Sequence, residues 1–378
     1  MKNPLIRGAV LFLLLSMAVS CATARNYSEN LQPPALAKEA VEAAPKIPSE
    51  IPKFNIPIVV NNDVDSFIRH FQTSHRRHFE RWLARSTRYI PLMQKILYEA
   101  GLPTDLVYLA MIESGFNNEA RSFRNAVGPW QFIKATGQRY GLQSDWWIDE
   151  RRDPIKATIA ASQYLKELYT MFDSWFLAAA GYNAGENKIK RAIRKFQTQD
   201  FWEMRNYSYL KRETKQYIPK LIAATLIAKN PEKYGFDNIP YHEPLSFDIV
   251  TVDGPVDLKR AAKITDVSYQ EIRKLNPELR RWCTPPHMKT YPLKIPAGTK
   301  DKFLARYDQI APKNKTLFYT HHIQRGDTLY ALARRYDTQI QPIIELNNIL
   351  SPNALRPGQR LIIPVRANSP AKESPQET

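Results

Sequence analysis

The stretch "VYLAMIESGFNN", residues 107–118, decides how this chain is read. Together with the preceding Leu106, the residues Leu109, Ala110 and Glu113 fall at i, i+3, i+4 and i+7, one stripe of a helix. Three members of the stripe are apolar and the fourth is a carboxylate. A carboxylate on a buried stripe loses hydration, and its pKa rises. A carboxyl that stays neutral near pH 7 can give a proton to a leaving group. Cleavage of a glycosidic bond asks this of the acid beside the bridging oxygen. The plainer account is a helix-end glutamate whose head reaches water, and from this helix alone that account is ahead. Ser114 and Gly115 follow at once, so the helix ends beside the carboxylate.

Two neighbouring segments shift the balance. "NAVGPWQFIKATGQRYGL", residues 125–142, offers Gly128 for a close turn and Gln131 as both donor and acceptor. "AAAGYNAGENKIKRA", residues 178–192, sets Tyr182 and Asn183 directly after a run of small residues. Six of the seven tryptophans lie between Trp82 and Trp202. That density suits a saccharide groove, although a large aromatic core accounts for most of it.

Further out, the pattern is helical from about residue 63 to 235. "HFERWLARS" and "RYIPLMQKILYEAG" have helical apolar spacing, and Gly101 stops the second. Asp153 reads as the N-cap of "DPIKATIAASQYLKELYTMF", with Pro154 at its first position. "YIPKLIAATLIAKNP" is a further helix, closed by Asn230 and Pro231. No alternating strand pattern interrupts this block, so it reads as all-α. The C-terminal third contains a repeat. "VDGPVDLKRAAKITDVSYQEIRKLN" (252–276) aligns with "IQRGDTLYALARRYDTQIQPIIELN" (323–347) on a shift of 71 residues. The shift pairs Leu258 with Leu329, Asp266 with Asp337, Ile272 with Ile343 and Asn276 with Asn347.

The chain has 378 residues, a formal charge of +17 and a pI near 9.7, which calls for a polyanionic partner. Lys2 and Arg7 precede the apolar run "AVLFLLLSMAV" (9–19), and residues 1–20 read as a signal peptide. Two exits are open: "AVSC" as a lipobox with Cys21 lipidated, or "ATA" (22–24) as an ordinary cleavage site; the lipoprotein is preferred. Export removes genomic nucleic acid as a partner. Only Cys21 and Cys283 exist, and no HExxH occurs, so no metal and no cofactor is expected. His75 and His78 beside Arg76, Arg77 and Arg81 read as a solvated basic face. Residues 21–62 read as a proline-rich spacer and 366–378 as a polar, disordered tail.

"ESGF", "GPWQF", "GYNAGENKIKRA" and "RETKQYIPK", in this order and spacing, resemble the motifs of soluble-lytic-transglycosylase-type domains, and the lytic murein transglycosylase D group in particular. Pro129-Trp130 stands where many relatives carry Leu-Met or Leu-Trp, and Gly181 where alanine is usual. The resemblance implies a mainly α chain: a lysozyme-like all-α catalytic domain over 63–235, followed by small βααβ LysM modules. It implies cleavage of the MurNAc-β-1,4-GlcNAc bond of peptidoglycan to 1,6-anhydro ends, with Glu113 as acid and then base. Ser114 is expected to hydrogen-bond Glu113 and Tyr182 to orient it. Gln131 is expected on an N-acetyl sugar, with Asn183 and Tyr217 completing the groove. A hydrolase would need a second acid. Asp145, Asp149, Glu150 and Asp153 are the candidates, and the arginines of "DERRDP" make them read as ion pairs.

The module at 319–365 resembles LysM. The resemblance puts glycan contacts on Gly326, Asp327, Thr328 and Leu329, with Asn353 and Leu355 opposite. A helix N-cap at Asp327 or Thr328 is compatible with this. The copy at 245–300 has Pro255-Val256-Asp257 in place of Gly-Asp-Thr and reads as a degenerate module that keeps the fold. The expected protein is a periplasmic monomer held at the outer membrane by a lipidated Cys21 and bound to glycan strands. A muramidase hydrolysing the same bond, or a non-catalytic wall-binding protein, are the alternatives.

Overall fold

The computed structural model describes residues 54–307, 318–347, 349–351 and 355–365. The expected signal peptide, Cys21, most of the spacer, Asn353 and the tail from 366 lie outside the described residues.

The first part is a helical body. Helix α1 (Asn62–Gln72) starts where the Asn61 side chain accepts the N–H groups of Asp63 and Val64. The two segments around residues 78–101 are one helix, α2 (Arg76–Glu99), which runs through Pro91 and stops before Gly101 at φ +72°. A 3-10 turn, Thr104–Leu106, leads into α3 (Val107–Ser114). Then follow α4 (Lys134–Arg139), α5 (Pro154–Phe172), α6 (Trp175–Ala184), α7 (Glu186–Phe196), α8 (Phe201–Met204) and α9 (Arg212–Lys229). Asp153 caps α5 as its sequence indicates, accepting from the N–H groups of Ile155 and Lys156. Helix α3 runs through the middle, with every residue from Val107 to Ile112 buried. Phe79, Leu83, Met93, Leu165, Ile218 and Ile222 belong to the same core. Burial of each such side chain contributes about 2 kcal/mol. The block is not helical throughout. Residues 115–133 form an irregular loop pinned by β-bridges between Arg121 and Val127 and between Val127 and Phe132.

The spacer reading reaches too far. Asn55 donates to Asp105 Oδ2 at 2.8 Å and to Thr104 Oγ1 at 2.8 Å, and Ile56 is buried in the core. Asp105 is fully enclosed, so its carboxylate needs donors, and Asn55 and Lys229 supply them.

The repeat is two copies of one βααβ unit. In the first, β1 (Phe247–Asp253) pairs antiparallel with β2 (Thr290–Pro296) around α10 (Leu258–Ile264) and α11 (Tyr269–Leu275). An added helix, α12 (Lys300–Arg306), continues past the expected end at 300. In the second, β3 (Phe318–His322) pairs with β4 (Arg360–Pro364) around α13 (Leu329–Arg335) and α14 (Ile340–Leu346). The matched residues do matched work. Asp266 and Asp337 both adopt the left-handed conformation between the helices, at φ +53° and +47°. Asn276 joins the end of α11 to β2 by accepting from the Lys294 N–H and donating to its carbonyl. Asn347 does the same for α14 and β4 through Ile362.

The first module is fused to the helical body. Trp147 and Ile148 lie in the module's core, not in that of the helices. Ile148 bridges Leu279, the Asp149 N–H donates to the Glu278 carbonyl at 2.8 Å, and the Arg280 N–H donates to the Trp147 carbonyl at 2.8 Å. Beneath them the Lys294 ammonium sits 2.6 Å from Asp153 of the helical body and 2.9 Å from Glu278 of the module. Burial disfavours this ammonium, but the two carboxylates hold its pKa above the ordinary lysine value. Removing one partner of a buried ion pair leaves its carboxylates stranded. Lys294→Met is therefore expected to cost about 3–5 kcal/mol. It should shift the urea midpoint of residues 54–307 as one transition; a loss under about 1 kcal/mol would show that the joint contributes little.

Candidate active site

Glu113 stands on the last turn of α3, and the chain must turn away immediately after it. Gly115 takes φ +59°, and its N–H returns to the Met111 carbonyl at 2.7 Å. A Cβ on Gly115 would lie 2.0 Å from the Trp82 ring, so only glycine fits here. Helix α9 packs beside α3 and places Glu213, Tyr217 and Lys220 on one face. The Tyr217 hydroxyl donates to Glu113 Oε1 at 2.5 Å, and Lys220 Nζ donates to the Ile112 carbonyl at 2.9 Å.

Burial pushes the Glu113 carboxyl above the ordinary glutamate value. The Tyr217 hydrogen bond and the Lys220 charge pull it partly back, and Glu213 adds to the rise. Burial also lowers the Lys220 ammonium, against the fields of Glu113 and Glu213. Glu113 thus opens on a cleft of about 350 Å³, lined also by Gln131, Tyr164, Tyr182, Asn183, Glu186 and Glu213.

The structure corrects two expected contacts. Ser114 does not bond the Glu113 carboxyl; its hydroxyl donates to the Pro129 carbonyl at 2.9 Å. Tyr182 does not orient Glu113 by a hydrogen bond either; its hydroxyl donates to the Trp130 carbonyl at 2.7 Å. Both side chains instead hold the 128–131 loop against the cleft. The Trp130 indole anchors that loop from behind by donating to Thr158 at 2.8 Å. Gly128, at φ +87°, is required, because a Cβ there would lie 1.7 Å from the Arg151 carbonyl. Gln131 is left-handed at φ +52° and spends its Nε2 on the Gly128 and Ala120 carbonyls. Its Oε1 keeps no protein partner among the described residues. Asn183 accepts from Thr214 at 3.0 Å. Gly181 is fixed by packing, since an alanine Cβ would lie 3.0 Å from Leu168 and Phe172.

The tryptophans are core, not groove. Trp130 and Trp147 are fully buried and no tryptophan lines the cleft, whose aromatic lining is Phe132, Tyr164 and Tyr182, with Phe123, 89% exposed, at its lip. Asp145, Asp149, Glu150 and Asp153 all lie elsewhere. Asp149 pairs with Arg151 at 2.8 Å, Glu150 with Lys156 and Asp153 with Lys294. Asp145 accepts the N–H groups of Trp147 and Ile148. The second carboxylates of the cleft are Glu186 and Glu213, which sequence reasoning passed over although both stand inside quoted motifs. Burial works to raise Glu186, but hydrogen bonds from its own N–H, Tyr164 and Arg139 hold it below the ordinary value. Glu213 has no ion-pair partner among the described residues; Asn183 Nδ2 approaches it at 3.4 Å.

In the second module, Gly326 is left-handed at φ +94° and Thr328 caps α13 by accepting from the Ala331 N–H. Asp327 accepts from His321 at 2.7 Å and from the Gln324 N–H at 2.7 Å. The Leu329 side chain is in the module core, and Leu355 packs against that core. No cluster of His, Cys, Asp or Glu among the described residues could hold a metal.

Because Tyr217 rather than Tyr182 touches the carboxyl, Tyr217→Phe is expected to raise the Glu113 pKa further. Tyr182→Phe should leave it near the wild-type value. Carboxyl titration by infrared or NMR reads both, and equal shifts would overturn the assignment. The contribution of Glu113 to stability is full below the unfolded glutamate pKa of about 4.3 and is lost as pH rises through the folded value. Glu113→Gln removes that loss, so its melting temperature should gain on wild type across this window and then stay level.

Residues 92–205 match the family described as the transglycosylase SLT domain. Residues 246–312 match the LysM-like domain of lytic transglycosylase MltD, and residues 321–364 the LysM domain. The membrane-bound lytic murein transglycosylase D of Escherichia coli strain K12 is 31% identical over 278 residues, 69% of this chain. The chain spans 60% of that relative's own length. An inactive mutant of lytic transglycosylase Slt from Pseudomonas aeruginosa overlaps 40% of this chain and 25% of its own, at 19% identity and a TM-score of 0.32. The soluble lytic transglycosylase of Escherichia coli overlaps 47% and 31%, at 16% identity and the same TM-score of 0.32. Along the chain the matches run in the order transglycosylase SLT domain, MltD-type LysM-like domain and LysM domain, and over 69% of its length the chain is similar to the membrane-bound lytic murein transglycosylase D of Escherichia coli.

Proposed function

We propose that this chain is a peptidoglycan lytic transglycosylase that cuts the MurNAc-β-1,4-GlcNAc bond and leaves a 1,6-anhydro-MurNAc end. The observation that carries the reading is a single carboxyl, raised by burial and held by Tyr217 at the end of an enclosed helix, opening on a polar cleft. As an acid, Glu113 gives its proton to the bridging oxygen while the C1–O bond breaks. As a carboxylate, it then takes the proton of the muramoyl C6 hydroxyl, whose oxygen bonds to C1. The proton returns to Glu113 and no water is consumed. Gln131, Asn183 and Tyr182 border the space the sugars would fill, and Phe123 offers a ring at its lip. Gly326, Asp327 and Thr328 of the LysM domain, with Leu355 opposite, would hold glycan away from the cleft. Localisation in the periplasm with a lipidated Cys21 agrees with the membrane-bound relative and with the basic charge.

A muramidase reading rests on Glu213, a second cleft carboxylate without an ion pair that could activate water. Product masses decide between them, because transglycosylase muropeptides are one water lighter. Glu113→Gln is expected to lower turnover by at least about 10³-fold while sacculi still pellet the protein. Glu213→Gln should keep anhydro products and a rate within about tenfold of wild type. Hydrated products that vanish in Glu213→Gln would establish the hydrolase instead. Turnover needs the acid form of Glu113, so the rate should fall as pH rises through its raised pKa.

A further inference from the structure

A second hollow, of about 450 Å³, lies where the helical body meets the first module. Its walls bring Arg85 and Arg88 of α2 together with Arg273 and Lys274 of α11, and Tyr89 and Phe116 also line it. The fused joint described above is what brings these four cations together. None of the four has an ion-pair partner among the described residues. Arg85 donates to the Gly115 carbonyl at 2.7 Å and Arg273 to the carbonyls of Leu279 and Arg281, so both are fixed by backbone rather than neutralised. Burial and the neighbouring Arg81 hold the Arg85 pKa down. Glu119 is the one carboxylate among the lining residues, and its field acts on Arg152. Asn118, 7% exposed, also lines the hollow, and its Oδ1 lacks a partner. Four cations around one concavity, of which Lys274 alone feels the exposed Glu271 beside it, outweigh the single lining carboxylate and raise the local concentration of anions.

The position of the hollow narrows the anion. The chain from Phe116 to Glu119 lines it, and the continuation from Ser122 to Ala126 lines the Glu113 cleft. One loop therefore has the cleft on one side and the cationic hollow on the other. The polymer of the proposed function bears its carboxylates on peptides that hang from the sugar next to the cut bond. We infer that the hollow is a binding site for the carboxylates of a wall peptide while its glycan occupies the cleft. The inference rests on the proposed function for the identity of its ligand. Guanidinium groups suit paired carboxylate oxygens, and the exposed Lys274 adds a point charge at the rim.

The test uses the full chain and a fluorescein-labelled wall tetrapeptide with free carboxylates, followed by anisotropy. Wild type and Glu113→Gln should bind alike, and the pair Arg88→Gln with Lys274→Gln should weaken binding by about tenfold, more so at low salt. Both positions lie outside the cleft, so cleavage of glycan stripped of its peptides should stay at the wild-type rate. The preference for peptide-bearing over stripped glycan should disappear. Absent binding, equal binding of a peptide with its carboxylates amidated, or an unchanged double variant would each overturn the inference. So would cation-dependent capture by anionic phospholipid vesicles without peptide binding. Loss of the proposed function reads separately, as intact peptide binding with neither glycan cleaved.

Discussion

Every residue of α3 from Val107 to Ile112 is buried, so the glutamate on its last turn has no wet face to turn toward. Its carboxyl meets solvent only through the cleft. The same enclosure sets its proton affinity, because a charge there is poorly hydrated. Tyr217 and Lys220 temper the cost without cancelling it. A fully paired carboxylate would be a poor acid and an unattended one a poor base. The intermediate balance is what the proposed double use of the carboxyl, as acid and then as base, would need. The sharp stop at Gly115 completes the arrangement, since it keeps the following residues out of the space above the carboxyl.

The loop across the cleft is held from three directions. Ser114 and Tyr182 bind its carbonyls from the cleft side, and Trp130 reaches back to Thr158. From behind, Arg151 donates to the carbonyls of Asn125 and Phe132 while paired with Asp149. Asp149 in turn donates its N–H to Glu278 of the first module. The module that looks degenerate beside its copy is thus connected, through one arginine and two acids, to the wall of the cleft. Its retention of the βααβ fold has a structural use whether or not it binds sugar.

Much of this was legible in the chain itself. The stripe ending in Glu113, the cap at Asp153 and the asparagine that closes each repeat are local signals, and they reappear where spacing put them. The contacts of Ser114 and Tyr182 were not legible. Motif proximity suggests that polar residues near a carboxyl bind it, but here the nearest unpaired groups were backbone carbonyls of an irregular loop. Glu186 and Glu213 stood inside quoted motifs and were passed over, because pattern alone does not tell which face of a helix borders a cavity. The fusion at Trp147 was hidden for a different reason. A pair of tryptophans reads as core in any domain, and sequence cannot say whose core it fills. The spacer was misjudged at its end, where prolines outweighed three apolar residues that pack.

The exchange of Trp147 and Ile148 into the neighbouring core has a consequence for any attempt to isolate the helical body. Cutting the chain near residue 245 would strip the cover from both side chains and leave Asp153 without its lysine. Such a fragment would carry a sticky apolar knob beside a desolvated acid. It would tend to associate with itself, and the smallest well-behaved piece that keeps the cleft would run on to the end of α12.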